Sequence, residues 1–253
     1  MLLAIDIGNT RIKAAVFEEN TLLEVVVFSK ETLQEKVQSI LKNHTAITDL
    51  IVASVGEIGR KDFLVWDTTV KIHFVSHESL FPFQNHYATP HTLGIDRMVL
   101  AAGAVLQFPN QNRLVIDAGT CITYDFIDAK DVYHGGAISP GIRLRYESLH
   151  EYTANLPLLS VENFTVDEHK QAQVNLIGSS TQESIHSGVV NGIVNEIDGF
   201  INMYSAKFSN FIIILTGGDT EFLAKRLKNT IFANSNFLLE SLNQTYQYKI
   251  KND

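Results

Sequence analysis

Apolar residues come in short runs separated by polar breaks at the start of the chain, and this pattern predicts strands. Leu2 to Ile7, Thr10 to Phe17 and Thr21 to Phe28 read as three consecutive strands of a meander, with turns at Gly8-Asn9 and Glu19-Asn20. Leu33, Val37, Ile40 and Leu41 then fall on one helical face, predicting a helix over 31–42. Leu50 to Val55 and Lys71 to Val75 are further strand-like runs. Residues 77–90 carry two prolines, several aromatics and no period, so a loop is expected there. Asp96 to Phe108 is apolar nearly all round a helix, which predicts a helix buried between layers.

Residues 113–128, RLVIDAGTCITYDFID, then restart the opening pattern: an apolar strand ends in Asp117-Ala118-Gly119-Thr120 and a second strand follows at once. Val132 to Ile138 continues the meander, and a helix begins near Pro140. Asp117 lies 111 residues after Asp6, so the chain reads as two related halves, 1–112 and 113–253. A long helix is expected from Thr181 to Phe208, with Ile185, Val189, Ile193, Ile197, Phe200 and Tyr204 on its core stripe. The run Phe211 to Leu215 feeds Thr216-Gly217-Gly218-Asp219, and a helix follows.

Composition narrows the function classes. The chain has 253 residues, is 45% hydrophobic and carries a formal charge of −8. An acidic surface without a basic patch argues against nucleic acid and anionic membranes as partners. The single cysteine, Cys121, excludes an internal disulfide and suits a reducing compartment. With no signal-peptide pattern and no apolar run approaching a membrane span, a soluble, cytoplasmic protein is expected.

The candidate chemistry lies in the turns. Asp6 ends a buried strand, where an unpaired carboxylate is costly unless a cation or a cation-bridged anion meets it. Glycines let backbone N–H groups approach an anion, and Asn9, Thr10 and Thr120 add donors. Each turn alone could be a hairpin with an Asp capping it. Two in register, with a Gly-Gly segment after a third buried strand, point instead to a phosphate-binding cleft. No Gly-x-x-x-x-Gly-Lys-Ser/Thr stretch is present, which excludes a P-loop kinase. Gly94-Ile95-Asp96-Arg97 places an acid and a base together at the start of the buried helix. They could be an N-cap with a surface ion pair. Alternatively, Asp96 accepts a proton from a substrate hydroxyl while Arg97 holds a carboxylate or phosphate oxygen as a planar fork.

The turn–turn–Gly-Gly pattern resembles the acetate and sugar kinase, heat-shock chaperone and actin superfamily. That resemblance implies an α/β fold of two related ribonuclease H-like halves, an actin-like ATPase duplication with a nucleotide cleft between them. Five segments in order, 6–10, 94–97, 117–120, Gly135-Gly136-Ala137-Ile138-Ser139-Pro140-Gly141 and 216–218, resemble the type III pantothenate kinases over almost the whole chain. This resemblance implies ATP-dependent phosphorylation of pantothenate to 4′-phosphopantothenate, the first step toward coenzyme A. It also implies Mg²⁺, a monovalent cation (K⁺ or NH₄⁺) and a homodimer whose partner helps close the substrate pocket. Carried over by position, Asp96 is the catalytic base, and Gly94, Ile95, Asp96 and Arg97 contact pantothenate together with Tyr87 and Thr181. Asp6, Ile7, Gly8, Asn9, Thr10, Arg11, Ile12 and Lys13 surround the ATP phosphates, with Thr120 on the other wall and Gly217 and Gly218 on the nucleoside side. Asp117 holds the monovalent cation and Asp6 meets Mg²⁺ through the phosphates.

Other residues carry blander expectations. The nine histidines show no metal-ligand spacing. Cys121 stands where the family usually has alanine and is expected to be small and buried; Trp66 is expected in a core or interface. Residues 143–152 read as an amphipathic helix suited to a dimer interface. Two competing functions are another kinase or phosphohydrolase of the superfamily, which would need an inserted substrate domain, and a non-enzymatic transcription accessory factor. The latter calls for a basic face or the loss of Asp96 or Asp117, and neither is seen.

Overall fold

The computed structural model describes residues 1–54, 70–164 and 174–252. Val55, Trp66 and His169 lie outside them. The first half forms β1 (Leu2–Ile7), β2 (Ile12–Glu18), β3 (Thr21–Phe28), α1 (Leu33–Asn43), β4 (Asp49–Ser54), β5 (Lys71–Phe74), β6 (Gln84–Asn85) and α2 (Ile95–Gln107). The second forms β7 (Asn112–Ala118), β8 (Cys121–Ile127), β9 (Val132–Pro140), α3 (Ile142–Glu151), α4 (Thr181–Lys207), β10 (Phe211–Thr216), α5 (Thr220–Ala224), β11 (Phe232–Ala233) and α6 (Phe237–Asn252).

The strand order shows the duplication. One sheet runs β3-β2-β1-β4-β5 and the other β11-β10-β7-β8-β9-β6. In each, an antiparallel meander (β1–β2–β3, β7–β8–β9) is extended on its first strand by a parallel neighbour, β4 on β1 and β10 on β7. Central β1 is buried along its whole length, as a strand covered on both faces must be. The edge strand β3 instead leaves Leu23, Val25 and Val27 exposed at every second position.

Three boundaries differ from expectation. β2 starts at Ile12, not Thr10, because residues 8–11 form the turn, closed by the Gly8 N–H donating to the Arg11 carbonyl at 3.2 Å. The 77–90 segment contains β6, which pairs parallel to β9 and covers an edge that would otherwise stay open. The last part of the chain, for which no element was expected beyond α5, ends in the 16-residue helix α6.

The helices exchange halves. α2 packs Met98, Leu100, Ala101 and Ala104 against Val115, Ile127, Tyr133 and Ile214 of the second sheet. α6 places Leu239, Leu242 and Tyr246 on Leu2, Ala4, Ala15 and Ile51 of the first sheet, with Val99 between. The two helices touch at Gly103, where an added Cβ would lie 1.9 Å from Ser241 Oγ. Burial of nine consecutive residues, Arg97 to Val105, follows from this position between layers. No helix among the described residues is long and apolar enough to cross a membrane.

Candidate active site

Both halves end their first strand in an aspartate directed at the same space. Asp6 is 9% exposed and is paired in the ladder with Lys13 on β2 and Ala53 on β4. Asp117 occupies the matching place, paired with Thr123 on β8 and Thr216 on β10. Burial, followed by the charges of Asp117 and Asp96, lifts the Asp6 carboxyl to about 7, while Lys13 opposes the rise. Asp117 is likewise raised to about 7 by burial and by Asp96, with Asp125 and Asp219 adding to it. Asp96 is raised chiefly by burial. Asp6 feels both Asp117 and Asp96, Asp117 feels Asp96, and Lys13 acts on Asp6 and Asp117, so the four form one cluster where the halves meet.

The turns touch directly. Thr10 Oγ1 lies 3.2 Å from Thr120 Oγ1, and Arg143 Nη2 donates to Thr10 Oγ1 at 3.2 Å. The 216–219 segment is held to the second turn by the Asp219 N–H, which donates to the Ala118 carbonyl at 3.0 Å. Gly217 takes φ +100°, a left-handed conformation glycine adopts without strain, and a Cβ there would meet Asp117 Oδ1 at 2.5 Å. Gly218 faces open space. Asp219, raised to about 6 by burial and the nearby Glu162, adds a further carboxyl to this wall, and Arg143 pulls it back down.

Asp96 occupies the second position of α2. Gly94 is the residue before the helix, and Asp96 Oδ1 accepts from the N–H of Arg97 at 2.8 Å, so Asp96 is not the N-cap. Arg97 is not in a surface pair either. It is 5% exposed, and its Nε donates to Asp125 at 3.0 and 3.2 Å while Nη2 donates at 2.6 Å. Tyr133 also donates to Asp125 Oδ1, at 2.6 Å. The Tyr87 ring lies 5.6 Å from the guanidinium carbon. One edge of the Arg97 fork is therefore taken by Asp125, correcting the expectation of a fork open to substrate on that side. Asp125 was legible in principle: a lone acid in the apolar strand ITYDFI is fully buried and must have a cationic partner.

Two further placements follow, the first a departure from expectation. Cys121 is exposed rather than buried, because it is the first residue of β8, directly after the turn. Thr181 is the first residue of α4 and lines an open groove of about 710 Å³ with Leu149, Leu156, Ser180 and Ile185. None of the clustered carboxylates lines that groove. Asp125, Tyr133, Asp219 and Arg143 are site neighbours that the motifs did not single out.

Among the described residues no group of three or more His, Cys, Asp or Glu is arranged to hold a metal ion. Asp6 and Asp117 nevertheless fit cations shared with a ligand. Asp6 is buried and Asp117 partly buried, and among the described residues neither has a Lys or Arg ion pair. Mg²⁺ commonly binds through one or two carboxylates with phosphate oxygens completing its shell.

Two sheets of matching order, each presenting an acid-ended strand and a tight turn to a shared cleft, define a duplicated actin-like ATPase fold. Solved structures agree: a Campylobacter jejuni protein described as a Baf family transcriptional activator superposes with TM-score 0.62 at 20% identity, covering 98% of this chain and 99% of that one. MreB5 of Spiroplasma citri bound to ADP gives 0.53 at 10% identity, covering 100% and 98%. At such identities these likenesses show the fold alone. Sequence relatives are much nearer. A family model described as Type III pantothenate kinase matches residues 2–203. The type III pantothenate kinase of Flavobacterium johnsoniae is 65% identical over all of both chains. That of Cytophaga hutchinsonii is 36% identical over 99% of this chain and 100% of the relative. The chain belongs to the type III pantothenate kinase family.

Proposed function

We propose that Asp96 is the base with which this chain phosphorylates pantothenate. The reaction of the family is ATP-dependent conversion of pantothenate to 4′-phosphopantothenate, the first step toward coenzyme A, and it is the reaction of this chain. The observation that carries the assignment to Asp96 is its place at the start of α2, where its charge reaches both Asp6 and Asp117. The hydroxyl oxygen of pantothenate bonds to the γ-phosphorus, and the bond to the β,γ-bridging oxygen breaks with its electron pair leaving on ADP. The hydroxyl proton passes to Asp96. In a loose transition state that proton leaves late, so orientation of the hydroxyl matters as much as basicity. The raised pKa of Asp96 also makes it a stronger base than an ordinary aspartate.

The remaining assignments follow the same geometry. Residues 6–13 and Thr120 surround the phosphates, Gly217 and Gly218 lie on the nucleoside side, and Lys13 opposes phosphate charge. Asp6 would hold Mg²⁺ with the phosphates and Asp117 a monovalent cation, K⁺ or NH₄⁺. When bound, these ions neutralise phosphate charge. Tyr87 and the edge of Arg97 turned away from Asp125 orient the pantothenate carboxylate. The location of Thr181 on a separate groove supports a homodimer in which that residue meets the partner's substrate. One free thiol and an ATP-dependent biosynthetic reaction support the cytoplasm as the setting.

The test is ADP release with Mg-ATP and K⁺, with and without pantothenate, for the parent and Asp96→Asn. Pantothenate-dependent ADP is expected from the parent. In Asp96→Asn turnover should fall by ~10²–10⁴ while ATP binding persists. Undiminished turnover in the variant would remove Asp96 from its role. Substituting Na⁺ for K⁺ should lower the parental rate if Asp117 holds the monovalent ion.

A further inference from the structure

We propose that Arg143 is a phosphate-binding residue of the cleft, holding the terminal phosphoryl group of the nucleotide between the two turns. This deepens the phosphotransferase reading above and rests on it.

The start of α3 is fixed against the second turn. The Gly141 N–H donates to the Thr120 carbonyl at 3.0 Å, and a Cβ at Gly141 would fall 2.1 Å from the Gly119 carbonyl oxygen and 2.6 Å from that of Thr120. Arg143, the second residue of α3, reaches from there to the turn of the other half, where its Nη2 donates to Thr10 Oγ1 at 3.2 Å. Thr10 Oγ1 in turn lies 3.2 Å from Thr120 Oγ1. One guanidinium and the hydroxyls of both turns thus converge on one point.

Charge supports the same residue, as a cation of the second half beside Arg11 and Lys13 of the first. The cleft wall carries Asp6, Asp96, Asp117 and Asp219, whose burial already penalises negative charge. Arg97 pairs with Asp125 inside the core, and its remaining edge is assigned to the pantothenate carboxylate rather than to phosphate. Arg143 is half exposed, and its positive charge is felt by Asp219 in the adenosine-side segment. Its Nε lies 3.3 Å from Glu147 one helical turn away, an exposed pair of the kind that contributes little, while Nη2 reaches the turns. In the free protein a neutral hydroxyl accepts from Nη2. A phosphoryl oxygen is a stronger acceptor, and a planar guanidinium offers it paired N–H groups. As charge spreads over the three equatorial oxygens during transfer, a preplaced guanidinium stabilises it without moving a proton.

Because the Arg143 side chain is exposed, its variants should fold. The test compares Arg143→Gln, Arg143→Lys and Glu147→Gln with the parent, using calorimetric binding of ADP and of a non-hydrolysable ATP analogue with Mg²⁺, and then turnover. Arg143→Gln should bind ADP within about twofold of the parent, lose about tenfold in analogue affinity and lose ~10²–10³ in kcat. Arg143→Lys should recover part of the loss, and Glu147→Gln should stay near the parent. A parental ratio of analogue to ADP affinity in Arg143→Gln would overturn the proposal, as would an equal loss for both nucleotides. So would the same loss in Glu147→Gln, which would reduce Arg143 to one half of a surface pair. The binding comparison needs no acceptor, so it judges Arg143 even if pantothenate-dependent turnover fails and the wider reading falls.

Discussion

Asp6→Asn tests the electrostatics of the cleft in the ligand-free protein. Burial and the charges of Asp117 and Asp96 lift the Asp6 carboxyl from 3.8 to about 7. In the unfolded chain it titrates near its ordinary value of about 3.9. Between those values the folded protein retains a proton that the unfolded chain has released, so stability falls as pH rises through the window and levels off above it. At roughly 1.4 kcal/mol per pH unit, an isolated group would lose about 3 kcal/mol between pH 5 and 7, the part of the window that the assay below spans. The three acids repel one another, so neutralising one relieves its neighbours, and about 2 kcal/mol is the share assigned to Asp6. For a chain of this size about 1 kcal/mol moves Tm by about 2–4 °C, giving about 4–8 °C. The assay is thermal unfolding at pH 5 and pH 8, without nucleotide or Mg²⁺, of the parent and the variant. The parent should lose about 4–8 °C more than Asp6→Asn across that range. His186, lowered by burial, titrates nearby with the opposite sign, but it is common to both proteins and cancels. Equal pH responses would refute the argument that Asp6 is a buried, unneutralised acid awaiting a cation.

Removing Asp125 leaves the Arg97 charge buried and unpaired, so Asp125→Ala should destabilise the fold by about 3–5 kcal/mol, measured by urea unfolding; a change under ~1 kcal/mol would contradict the buried pair. Gly103→Ala should cost about 1–3 kcal/mol, because its methyl group would overlap Ser241 where α2 meets α6, and Ser241→Gly in the same chain should restore most of the loss. Cys121 is exposed directly after the second turn, so a thiol reagent should label the native protein, and Mg-ATP should slow that labelling. Labelling only after unfolding would contradict the exposure.

Much of this protein was written locally in its sequence. The strand runs, the stripe of α4, the two Asp-x-Gly turns and the apolar surface of α2 each depend on residues a few positions apart, where period and turn chemistry act. The repeat at Asp6 and Asp117 then predicted two halves, and the matching strand orders agree. What the tertiary structure alone decided concerns partners far apart in the chain. Arg97 meets an acid 28 residues away because sheet register brings Asp125 under the start of α2. Tyr133 and Arg143 enter the site for the same reason, through strand pairing and the packing of α3 against Thr120. The exchange of α2 and α6 across the halves has no local signal either. An apolar helix face specifies that something covers it, and only the whole molecule determines which sheet does.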